Sequence, residues 1–212
     1  MCPRLAAMAQ LDPTFTHQPL DACADAALAA ATEAGAQWAD VRVTTVAARH
    51  MHLRDGTVDS SLVESTTGVG VRVIAAGAWG FAATSDVAPA AAAAAARRAV
   101  AMATATSALV NRPVTLAPEP VHTGSWIAPY DRDPVEVPDA EVVAVLAEWS
   151  ATLADHPQVD HATASFSAAR ECLFYADTAG TRTSQQRVRC HPEATAIAIT
   201  PGGFEDMTTT LP

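Results

Sequence analysis

The chain has 212 residues, half of them apolar, enough to bury a sizeable core in one large domain or two small ones. Its net charge is −10, all 13 basic residues are Arg, and Arg97-Arg98 is the sole adjacent basic pair. Nothing concentrates the positive charge that phosphate neutralisation needs, which argues against nucleic acid as a direct partner.

Cys2, Cys23, Cys172 and Cys190 make no disulfide framework in a chain this long, and no two stand in C-x-x-C spacing. Arg4 is followed by too few apolar residues for a secretory leader, and the Ala88–Ala96 run is too short and weakly apolar to span a bilayer. A cytoplasmic protein with no membrane partner is expected.

In chain order, residues 1–19 carry Pro3, Pro13 and Pro19 without periodicity and read as a loose leader. Asp21 is expected to cap a helix with Ala24, Leu28 and Ala31 at helical spacing, stopped by Gly35. From Trp38 the period falls to two: Val41, Val43 and Thr45 alternate with Arg42 and Thr44, a half-buried strand running towards Leu53. Asp55-Gly56 predicts a two-residue hairpin turn, with a return strand over 57–66. Gly68 and Gly70 open a third strand through Ile74, Ala75-Ala76-Gly77 turns the chain, and Trp79 to Ala83 form a fourth. Ser85 or Asp86 is expected to cap a helix of about twenty residues, with Pro89 tolerated in its first turn.

A Pro-rich connection over 111–138 reads as a packed excursion or an interdomain strap. Asp139 then caps a helix with Val142, Val143, Leu146, Trp149 and Leu153 on one stripe, and strands follow at 159–169, 171–177, 181–189 and 193–200. The second passage echoes the first: each has a helix, then a strand ending Ala47-Ala48-Arg49 or Ala168-Ala169-Arg170, then a Gly-containing turn and further strands. The expected fold is α+β: two related helix-plus-meander units, facing each other or sharing one antiparallel sheet, with helices on one side.

Motifs that would carry chemistry are sparse. His50 and His52 point to one face of a strand, a usable metal spacing, with His161, His191 or Asp59 as recruits, but nothing in the spacing demands a site and a solvated strand face near a hairpin end is the favoured reading. Cys172 and Cys190 fall in neighbouring strands and read as small apolar residues; His191, adjacent to Cys190, faces the opposite side. Gly68-x-Gly70 fails the dinucleotide fingerprint, since Val73 replaces the third glycine and no helix follows. There is no G-x-S-x-G and no H-E-x-x-H. Asp131 and Asp133 lie in the Pro-rich loop and read as solvated, while Trp79, Phe81, Trp126 and Trp149 read as core or interface anchors. No residue is assigned a catalytic or metal-binding role.

The run Gly68-Val-Gly-Val-Arg-Val-Ile74, the turn at Gly77, Trp79-Gly80-Phe81-Ala82 and Ser85-Asp86 resemble the N-terminal domain of the TldD/PmbA family, with the TldD branch closer. The likeness extends over roughly 20–205. It implies a TldD/PmbA-type N-terminal domain over 20–200, its two sub-units joined by 111–138, and the start of a C-terminal metallopeptidase domain at 201–212. The family implies a zinc-dependent peptidase acting on peptides or unfolded segments. Such a peptidase works with a PmbA/TldE-like partner subunit or as a homodimer, and its metal sits on an H-E-x-x-x-H helix. That motif is absent from this sequence, so the resemblance places zinc outside these residues and carries over no site residue. On this expectation the chain is inactive alone. The alternative it leaves open is a metal-free, PmbA-like scaffold that holds an extended peptide.

Overall fold

A computed structural model describes residues 10–210. The elements run α1 (Pro13–Thr16), α2 (Leu20–Glu33), β1 (Trp38–Arg54), β2 (Thr57–Ala75), β3 (Ala78–Thr84), α3 (Pro89–Thr106), a 3₁₀ turn (Ser107–Leu109), β4 (Thr123–Ile127), α4 (Asp139–Ala154), β5 (His161–Asp177), β6 (Arg182–Thr200) and β7 (Gly203–Thr210). The strands form a seven-stranded sheet in the order β3-β2-β1-β5-β6-β4, with β7 also pairing with β6. The α+β class is as expected. The β2–β3 and β6–β7 ladders are antiparallel, whereas β4, inside the Pro-rich connection and not foreseen as a strand, pairs parallel with β6.

Several boundaries differ from expectation. The return strand at 57–66 and the strand from Gly68 are one continuous β2, and the four strands expected over 159–200 are two, β5 and β6. Gly68 and Ala169-Arg170 both lie within continuous extended backbone. Pro192 sits within β6 between the residues paired with β4 (182–186) and those paired with β7 (193–200), where its missing N–H costs neither of those ladders a bond. The helix caps also shift. α2, α3 and α4 begin after Pro19, Ala88 and Pro138, none with a side-chain cap, and Asp21 and Asp139 lie in the first turn instead. There their charge still favours the positive end of the helix dipole.

Residues 1–9 of the expected leader lie outside the described residues. Over 10–19 the chain is packed rather than loose: Asp12 caps α1 by accepting from Thr14 N at 2.8 Å, and Phe15 is fully buried. Proline content hid this, because one aromatic anchor leaves no periodicity to read.

The residues divide into two compact units, one comprising residues through Thr45, Thr66–Ala128 and Glu171–Arg187, the other Val46–Ser65, Pro129–Arg170 and Val188 onward. The order helix, strand, strand, strand does recur, as α2-β1-β2-β3 and α4-β5-β6-β7. Compactness does not follow that repeat, however: β1, β2, β5 and β6 each contribute to both units.

In the first unit Ala24, Ala27 and Ala31 of α2 and Ala92, Ala95, Ala96, Ala99 and Ala103 of α3 are buried with Val41, Val43, Val71 and Val73. Lines of Ala at helical spacing let helices approach closely, so this core is dense although its side chains are small. In the second unit Val142 and Leu146 of α4 pack with Met51, Leu53 and Ala164.

Candidate functional site

The Gly68–Asp86 segment earns its distinctive composition through packing. A Cβ at position 80 would lie 2.0 Å from the carbonyl oxygen of Ala99, so only glycine lets α3 seat on β3. The aromatic ring of Phe81 covers Gly70, where a Cβ would meet it at 3.3 Å. Both hairpin turns, Asp55-Gly56 and Ala76-Gly77, place their two residues at φ 49° and 74°, the left-handed pair a tight two-residue turn demands.

Arg72, at the centre of the same segment, builds the most structured polar cluster of the first unit. Its guanidinium lies 4.9 Å from the ring centre of Trp79 and 5.4 Å from that of Trp38. The two rings meet edge to face at 5.7 Å. Nε donates to Asp40 Oδ2 at 2.9 Å and Nη2 donates to the same oxygen. Asp40 is 1% exposed, and burial raises its pKa despite the opposing pull of Arg72 and Arg42. Arg42 stands 3.8 Å from Asp40 Oδ1 and lies over the ring of Tyr175 at 5.6 Å. The Tyr175 hydroxyl donates to Asp177 Oδ2 at 3.1 Å, and burial followed by the nearby carboxylates pushes its pKa upward. Tyr175 is therefore a hydrogen-bond donor here and not a base.

A cleft of about 510 Å³ opens above this cluster, lined by Trp38, Arg72, Trp79 and Tyr175 and roofed by Leu116 and Pro120 of the Pro-rich connection. The connection is thus a strap. Val114 N donates to Gly77 O, Arg182 N to His122 O and His122 N to Thr181 Oγ1.

The second unit holds the histidines singled out in the sequence, each with a local partner. His50 Nδ1 lies 2.9 Å from Ser167 Oγ, His52 Nδ1 3.2 Å from Asp59, His161 Nδ1 2.9 Å from Asp55, and His191 Nε2 3.3 Å from Glu193. Asp59 is the one expected recruit that reaches His52. Among the described residues no three His, Cys, Asp or Glu side chains come together as metal ligands. Cys172 is buried and its thiol donates to Gln186 Oε1 at 3.4 Å, and Cys23, Cys172 and Cys190 are all free thiols.

Asp133 is not solvated as expected. Its side chain is 9% exposed and takes a hydrogen bond from Arg170 Nη1 at 2.7 Å; the same nitrogen donates to Glu136 at 2.6 Å. Arg49, the other Ala-Ala-Arg arginine, donates to Val137 O and Asp139 Oδ1. The two echoed arginines therefore hold the same stretch of chain, the approach to α4, which equal sequence spacing gave no means of foreseeing. The aromatic anchors also differ from the core role: Trp79, Phe81 and Trp126 are substantially exposed.

Two strand stretches, all but Thr66 in the second unit, are uncovered on both faces. Every residue of β2 from 57 to 66 and of β7 from 203 to 210 is exposed, including Val58, Leu62, Val63, Phe204 and Met207. β3 pairs only with residues 69–75 of β2.

Residues 39–103 match the family described as PmbA/TldA metallopeptidase domain 1. No curated protein matches the chain. Its fold is similar to that of a protein of Thermotoga maritima titled a proposed modulator of a DNA gyrase, with TM-score 0.67 and 13% identity over 90% of this chain and 42% of that one. A Bacteroides thetaiotaomicron protein with a corresponding title gives 0.65 and 12%, over 90% and 44%. TldE of Thermococcus kodakarensis gives 0.59 and 11%, over 89% and 42%. The chain therefore spans less than half the length of these structures. The resemblance to the TldD/PmbA family is borne out at its first domain: residues 39–103 match that domain in sequence, and about nine-tenths of the chain shares the fold of the three proteins above.

Proposed function

We propose that this chain is the N-terminal, non-catalytic domain of a TldD-like zinc-dependent peptidase that processes peptides or unfolded segments, and that it shapes the substrate chamber and a subunit interface. The observation that carries this reading is the match of residues 39–103 to the first metallopeptidase domain, joined to a fold that fills less than half of each related structure. The doubly uncovered strands at 57–66 and 203–210 support it, because apolar side chains exposed on both faces of a strand suit a surface that other polypeptide covers. Zinc would be held by residues outside this chain, and the working partner is a PmbA/TldE-like subunit or a second copy. Three free thiols suit a reducing cytoplasm.

The test is reconstitution with a polypeptide that carries an H-E-x-x-x-H helix and follows this chain in its gene or is encoded beside it. Co-purification, zinc retained by the pair, and cleavage of an unfolded substrate that requires both components are expected. A complex that binds peptide without zinc would favour the metal-free scaffold instead, and absence of any association would overturn both readings.

A further inference from the structure

We infer that the strapped cleft of the first unit is a binding site for a carboxylate carried on an apolar or aromatic body, with Arg72 as its anchor. This inference is independent of the peptidase reading. At about 510 Å³ the cleft is of small-ligand size (about 300–1,000 Å³). Its walls are the rings of Trp38, Trp79 and Tyr175 and its roof is Leu116, Ala117 and Pro120, surfaces that favour an apolar or aromatic group.

Its polar groups differ in what they have left to offer. Both oxygens of Asp177 are engaged, Oδ2 by the Tyr175 hydroxyl and Oδ1 by the backbone N–H groups of Ala179 and Thr181. Arg72 uses Nε and Nη2 on Asp40 and has no partner on Nη1, while its side chain remains 41% exposed and lines the cleft. Asp40 and the two Trp rings fix the guanidinium in place, so a ligand carboxylate meets a preorganised donor.

The roof can admit such a ligand. Between the hydrogen bonds at Val114 and His122, residues 115–121 make no hydrogen bond at all. Glu119, which also lines the cleft, opposes an anion and makes the prediction directional.

The experiment is calorimetric titration of the full chain with three probes: a short peptide ending in Phe with a free carboxylate, the same peptide as its C-terminal amide, and 3-phenylpropionate. Saturable binding of the peptide acid is expected, with roughly tenfold or greater loss for the amide. Equal binding of 3-phenylpropionate identifies a general site for apolar acids, and a clear preference for the peptide identifies a C-terminus reader; either supports the inference. Glu119→Lys, on the exposed strap, should tighten the acid about two- to fivefold. Asp40→Asn combined with Arg72→Gln, which removes both charges together, should abolish binding while circular dichroism shows the fold retained. Should the double variant not fold, Glu119→Lys alone decides the sign. An amide that binds as well as the acid, weaker binding in Glu119→Lys, or no saturable heat with any probe overturns the inference.

Discussion

Gly80 shows how one residue can fix the approach of two elements. A methyl group there would stand 2.0 Å from Ala99 O, so Gly80→Ala must push α3 off β3, at a cost of about 1–3 kcal/mol or more in a urea-unfolding series. Ala76 is the opposite case. It is exposed at φ 49°, a conformation that penalises a Cβ, and Ala76→Asn would install the favoured Asn-Gly turn. A gain of about 0.5–1 kcal/mol is expected, read as a higher urea midpoint with unchanged slope.

Asp55 carries a titration. Hydrogen bonds from the backbone of Ala162, and then from His161, hold its carboxyl below the usual carboxylate range. A depressed acid adds stability above its unfolded pKa of about 3.9 and loses it as pH falls through the lower folded value. Asp55→Asn keeps a residue that tolerates the turn, so wild type should exceed it in stability at pH 6 and the gap should close on acidification towards pH 2.

At the scale of elements, the approach to α4 is held by arginines. Arg170 meets Asp133, which is nearly buried, so Arg170→Ala leaves that carboxylate with the Val135 N–H as a remaining donor and should cost about 1.5–3 kcal/mol. Asp139, the partner of Arg49, is 71% exposed, and its removal leaves Arg49 with the Val137 carbonyl as a remaining acceptor. Because Arg49 is itself 2% exposed, Asp139→Ala leaves a buried cation without its counter-charge and should cost at least as much as Arg170→Ala, a ranking that thermal unfolding of the two variants checks directly. The strands show what local reading captures. Alternation marks β1 correctly from Trp38, and Asp55-Gly56 marks its end, because both signals are confined to a few residues. The unbroken lengths of β2, β5 and β6 were not legible, since whether a glycine or an Ala-Arg pair interrupts a strand depends on the neighbours that hydrogen-bond it.

At the scale of the whole molecule, the uncovered strands of the second unit carry the last prediction. With Val63 and Met207 among the most exposed large apolar side chains, the chain produced alone should self-associate in sedimentation experiments. Val63→Lys with Met207→Lys should shift it towards monomer without loss of secondary structure. A monodisperse wild-type monomer would count against a covered surface. No described helix is long and apolar enough to cross a membrane.

The sequence by itself determined the class of fold, the two hairpin turns, the recurrence of helix and meander, and the family likeness concentrated at Gly68–Asp86. These are carried by period, turn chemistry and motif, all of which act between residues close in the chain. Tertiary structure alone decided that Trp38, Arg72, Tyr175 and the strap at 113–122 share one cleft, that Asp40 is buried beneath an arginine, and that two arginines 121 positions apart hold one loop. Each of those depends on contacts between residues distant in sequence, whose energies come from burial and charge pairing that no local pattern records.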